Sequence, residues 1–118
     1  MPYSSYGKNA MLNALGALAG FVSLHTANPG DTGTSEVTGG SPPYARKAIA
    51  WGSAAAGSMI KTATNPAFDV PAGTTVAYVG LWSLASGGVF YGSALVTNEV
   101  FAAQGTYTLT GNTLDLNA

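Results

Sequence analysis

The chain has 118 residues, with four Lys+Arg, five Asp+Glu, one His and no Cys, for a formal net charge of -1 at pH 7. Charged residues make up 8% of it, against the roughly 25% that normally hydrates a soluble domain, so much of the exterior is expected to face other protein. The shortage withholds the clustered acids, imidazoles and thiols that catalysis needs. It excludes disulfides and leaves too few cations to engage nucleic acid.

The N-terminal stretch has Met11, Leu12, Leu15, Leu18 and Ala19 at three- and four-residue steps, which predicts a helix over Tyr6–Ala19 with Ser4 or Ser5 as its cap. Gly20, free of a Cβ, is the expected left-handed stop. Asn13 and Gly16 interrupt the apolar run, which reads as mature structure and not as a signal peptide. No uninterrupted apolar run reaches the roughly 18 residues that a membrane-spanning helix needs.

From Phe21 the period changes to two, predicting a strand over Phe21–Ala27 that ends in the turn Asn28-Pro29-Gly30-Asp31. Thr32–Tyr44 is a long polar loop rich in Gly, Ser, Thr and Pro, the kind of segment that carries contacts. Strands are predicted over Ala45–Gly52, more weakly over Gly57–Ala63, and again over Thr74–Ser83, preceded by Ala67–Val70 and the turn Pro71-Ala72-Gly73. Leu84–Gly88 has the composition of a hairpin loop, with Val89–Thr97 as the return strand. Glu99–Ala103, Thr106–Thr110 and Thr113–Leu116 complete the set, the last two joined by Gly111-Asn112.

Many short strands with Gly-rich turns imply a mainly β chain, a single-domain β-sandwich or jelly-roll-like fold with a short N-terminal helix. The division expected is residues 1–20 as an N-terminal segment carrying the amphipathic helix and residues 21–118 as the β domain. Exposed sheet edges invite pairing with other chains and are usually blunted by charge. With so little charge available, covering the edges with sister subunits is the expected solution, hence a symmetric homo-oligomer, a trimer being one such arrangement.

The residues Ser23-Leu24-His25-Thr26-Ala27-Asn28-Pro29-Gly30-Asp31-Thr32-Gly33, then Glu36–Ser41 and Tyr44–Ala48, form one recurrent pattern. Phe68–Trp82 and Ser86-Gly87-Gly88 form its second half. Together these blocks resemble the small virion proteins of tailed bacteriophages commonly labelled tail fibre or minor tail proteins. The resemblance implies a non-enzymatic, multi-copy component of a phage particle located at its tail or capsid surface. Its partners would be further copies of itself, other virion proteins and, for a receptor-binding part, a host-surface glycan. It supplies no catalytic residues and no cofactor. A capsid-surface decoration protein and a small carbohydrate-binding module are the alternatives.

Several residues carry sharper readings beside plain ones. Ser23 and His25 share one side of a strand and lie near Asp31, the members of a hydrolase triad, but no nucleophile elbow or oxyanion loop accompanies them, so His25 reads as a hydrogen-bonded structural residue. Asn28, Asp31 and Glu36 offer oxygens to a cation at a spacing that ordinary turn chemistry explains better, so no metal is assigned. Arg46 and Lys47 point to opposite faces of a strand, one of them available to pair with Glu36, Asp69 or Glu99 or with another subunit. Trp51, Tyr78, Trp82, Phe90, Tyr91, Phe101 and Tyr107 read mostly as core. The interface residues this leaves are Met11 and Leu15 on the helix, Asp31, Glu36 and Tyr44 in the loop, and Arg46 and Lys47 beyond it.

Overall fold

The computed structural model describes residues 3–56, 58–60, 66–109 and 113–115, the segments 58–60 and 113–115 by their backbone alone. Helix α1 runs Ser5–Leu18. The Ser4 hydroxyl caps it by accepting from the Gly7 amide at 3.2 Å. The apolar period turns Leu12 and Leu15 inward, Leu12 to full burial and Leu15 against the main core. The expected left-handed stop at Gly20 does not occur. Ala19 closes the helix at φ -88° and ψ 77°, donating to the Leu15 carbonyl at 2.7 Å. The chain must leave extended because Phe21 already pairs in a sheet and the Gly20 carbonyl accepts from Ile49 N at 3.0 Å.

The main sheet holds β1 (Phe21–His25), β2 (Lys47–Ala48), β5 (Thr74–Trp82) and β6 (Phe90–Phe101) in the order β2-β1-β5-β6, all antiparallel. Opposite Val22 stands Leu81 and opposite Leu24 stands Val79, so these four fill one face. Ser23 and Gly80 pair on the other face, which also holds His25 and Trp82. Most strand boundaries fall within two residues of expectation, and two differ by more. The strand over Ala45–Gly52 contracts to Lys47–Ala48, directly after Arg46, whose side chain enters the clamp described below. Val89–Thr97 and Glu99–Ala103 join into one strand because β6 absorbs extra residues in a bulge opposite Val76–Tyr78.

Two smaller pairs complete the fold: β4 (Ala67–Val70) with β7 (Gly105–Thr108), and β3 (Ser58–Ile60) with β8 (Thr113–Asp115). The strands expected over Thr106–Thr110 and Thr113–Leu116 are present as β7 and β8, which pair with different strands; Thr110, the Gly111-Asn112 join and Leu116 lie outside the described residues. So do Gly57 and Lys61–Ala63, the flanks of the weak strand expected around Ser58–Ile60. Val70 pairs with Gly105 and Thr74 with Phe101, four residues further along on one side and four back on the other, so the register carries through. The segment from β4 to β7 is one long hairpin creased at residues 71–73 and 102–104. The crease folds Phe68, Val70, Tyr107 and Leu109 into the same core as Val22, Leu24, Val79 and Leu81. The result is a mainly β, sandwich-like arrangement with one short N-terminal helix.

Candidate functional site

The loop after β1 returns along the sheet, where Glu36 forms an isolated bridge with His25 and Val37 N donates to the Leu24 carbonyl at 3.0 Å. This places the Glu36 carboxylate beside Arg46. Arg46 grips it with both arms, Nε to Oε2 at 2.9 Å and Nη2 to Oε1 at 3.0 Å. Its Nη1 donates to the carbonyls of Leu84 (3.0 Å) and Gly87 (2.8 Å), and its guanidinium carbon lies 3.6 Å from the Trp82 ring centroid. The Arg46 side chain is 9% exposed, so the pair works in a partly desolvated setting where fork geometry counts. One side chain thereby ties the Glu36 loop and the β5–β6 hairpin to the sheet.

Tyr44 extends the network. Its hydroxyl donates to Glu36 Oε2 and accepts from Leu24 N, both at 2.9 Å, while its ring stacks on Phe68 at 6.3 Å. Burial, with the Glu36 carboxylate adding to it, pushes the phenol well above its usual range.

On the far side of Trp82 a second chain of bonds starts. The indole Nε1 donates to Ser23 Oγ at 2.9 Å, and Ser23 Oγ lies 2.6 Å from His25 Nε2. His25 Nδ1 faces the Thr34 carbonyl at 2.8 Å. A carbonyl only accepts, so Nδ1 carries the proton, and Nε2 takes a hydrogen bond from the serine hydroxyl. Burial favours the neutral ring, in which Nε2 is that acceptor. Burial lowers the His25 pKa, opposed by the Thr34 carbonyl and Glu36 and assisted by Arg46. Ser23 and His25 are both fully buried.

Two glycines make this packing possible. A Cβ on Gly80 would stand 2.6 Å from Ser23 Oγ and 2.8 Å from His25 Nε2. Gly33 adopts φ +77°, and a Cβ there would overlap Trp82 and come within 2.9 Å of Phe90.

The fold therefore joins Glu36, Tyr44 and Arg46, partly as the sequence indicated, and spends them on one another. Arg46 is the partner that Glu36 takes, within the same chain. Met11 is exposed on α1, whereas Leu15 faces the sheet. Asp31 is exposed in its turn and Lys47 half-buried on β2. Asn28, Asp31 and Glu36 do not converge: Asn28 Oδ1 accepts from Gly30 N at 2.9 Å, and both Glu36 oxygens are engaged. Among the described residues no group of three His, Cys, Asp or Glu is placed to hold a metal ion, and no helix is long and apolar enough to cross a membrane. Trp82, Phe101 and Tyr107 are buried, while Trp51, Tyr78, Phe90 and Tyr91 are half-buried.

Sequence reasoning placed Ser23 and His25 on one strand face but missed their link to Trp82, whose only signal was the alternation that puts Gly80 and Trp82 on a common face. It also missed the contact of Arg46 with the hairpin carbonyls. Nothing in a run of Leu, Ala, Ser and Gly announces that its backbone will receive a guanidinium.

Polar side chains joined chiefly to one another hold the loops against an antiparallel sheet, the build of a mainly β protein. A family model described as Podophage GP4 fiber I protein gp80 matches residues 2–117, and the chain belongs to that family. It is a phage tail-fibre-type protein with its place in the virion tail. No curated protein and no solved structure matches it.

Proposed function

We propose that this chain is a non-enzymatic building unit of the podophage tail that acts by assembling with copies of itself and binding neighbouring virion proteins. The observation that carries this reading is the family match along nearly the whole chain. The surface supports it physically. Tyr6 is 90% exposed, Leu95 71% and Val100 72%, on a chain with very little charge to keep such groups hydrated. Covering them with protein lowers the free energy of the system. A structural role is supported further by the sealing of the Ser23–His25 pair beneath Trp82 and Phe90, where no substrate reaches it. Of the residues expected at interfaces, Met11 and Asp31 have side chains open to a partner.

The test is sedimentation velocity on the purified full chain across a concentration series, followed by pull-down of tagged chain from disrupted particles of its phage. Reversible oligomers and co-purifying tail proteins are expected. A chain that stays monomeric throughout and captures no virion protein overturns the proposal.

A further inference from the structure

We infer that the outward face of α1 docks antiparallel against the same face of α1 in a second copy of the chain; this rests on the self-assembly proposed above and gives it a surface. The helix buries Leu12 and leans Leu15 on the core, and its one charged side chain, Lys8, is half-buried on that same inner side. On the opposite side Tyr6, Ala10, Ala14 and Ala17 follow at four- and three-residue steps, with Met11 and Leu18 on the flank, and all are exposed. Tyr6 is 90% and Leu18 55% accessible. A surface helix is ordinarily polar on its outer face, whereas this one offers Tyr and Ala there, beside Asn13, whose Oδ1 accepts from Ala54 N at 2.9 Å.

Charge selects the occupant. The first turn of α1 has no acidic residue and the last no basic one, so the helix's own side chains compensate neither end of its dipole. An antiparallel copy sets each positive end beside its partner's negative end. It also meets an uncharged face with an uncharged face and makes the contact isologous. Pairing centred between Ala10 and Ala14 brings Ala10 toward the second copy's Ala14 and Tyr6 toward its Leu18, so large side chains close the ends of a seam formed by small ones.

The rival surface is the outer edge of β6, and it is protected in ways that the helix is not. The bulge opposite Val76–Tyr78 distorts this edge, and Asn98 and the charged Glu99 lie within it, the devices that discourage strand addition.

The experiment compares three forms of the full chain by sedimentation velocity, with near-ultraviolet circular dichroism confirming the Trp82 environment: the parent, the double variant Tyr6→Glu/Leu18→Glu, and Leu95→Glu on β6. Expected are a self-associating parent, at least about a tenfold weaker association constant in the helix variant, and little change in the β6 variant. A parent that does not self-associate overturns the self-assembly on which the inference rests. A parent that does, but is indifferent to the helix variant, overturns this inference alone, and loss confined to Leu95→Glu moves the contact to β6. Because the chain has no Cys, Ala10→Cys and Ala14→Cys, one of them mass-tagged, report the direction. Mixed disulfides in excess over homodisulfides support the antiparallel seam, and the reverse overturns it.

Discussion

The guanidinium of Arg46 sits 3.6 Å from the centroid of the Trp82 ring while its two arms hold Glu36, so a loop charge pair and a strand aromatic form a single clamp. The clamp touches the Glu36 loop, the turn at residues 84–87 and, through Trp82 Nε1, the Ser23–His25 pair.

Arg46→Ala is expected to destabilise the fold by roughly 3 kcal/mol, because it leaves a largely buried carboxylate without its charged partner and frees the exposed hairpin turn from its tie. Arg46→Lys keeps the charge but loses the fork and the planar stacking, and should cost about half as much. Urea unfolding followed by Trp fluorescence measures both. Parent-like stability in Arg46→Lys would show that the bidentate geometry contributes nothing.

Tyr44→Phe removes the acceptor of Leu24 N and a donor to Glu36 while keeping the ring on Phe68. A loss of about 1 to 3 kcal/mol is expected, the range for leaving a buried polar group unpaired. Faster hydrogen exchange at the Leu24 amide, against unchanged exchange at Val79, locates the effect.

Acid should loosen the loop at residues 29–36. Burial lowers the His25 pKa from 6.5, so the folded chain holds the neutral ring while the unfolded chain takes a proton more readily. Stability from this source is complete above pH 6.5 and declines as pH falls toward the folded-state value. Protonated Nε2 would donate to Ser23 Oγ and leave the serine proton without its acceptor. Unfolding free energies between pH 8 and about 5, where carboxylates remain ionised, should slope downward in the parent and flatten in His25→Gln. A parent profile that is flat over that window would contradict this account.

Gly33→Ala is expected to cost roughly 1 to 2 kcal/mol for its left-handed backbone and about 1 to 3 more for overlap with Trp82. Gly30→Ala is the control, since Gly30 has φ +63° but nothing within 4 Å of the point where a Cβ would stand. It should show only the backbone cost. Equal losses at the two positions would mean that the Trp82 contact is relieved by a small shift.

Much of the secondary structure was legible in the sequence because it follows from short-range periodicity. Leu12 and Leu15 on one helix face, Ser23 and His25 on one strand face, and the β5–β6 hairpin around Leu84–Gly88 all come from steps of three and four or of two. The helix ends at Ala19, directly before Gly20 as expected, but Gly20 does not take the left-handed conformation because its carbonyl is held by the long-range bond from Ile49 N. The pairing of the last strands was not legible for a similar reason: β7 and β8 are adjacent in sequence, yet each finds its partner elsewhere, β7 because the crease lays it on β4.

That the chain is charge-poor, mainly β and led by an apolar helix is written in its residues alone, since composition and alternation are local properties. Which of its scarce polar residues meet is a matter of three-dimensional packing. Glu36, Arg46 and Trp82 lie on three separate segments, and a hydrogen bond or ring contact reaches only a few ångströms, so their meeting depends on how the sheet and its loops are laid over one another.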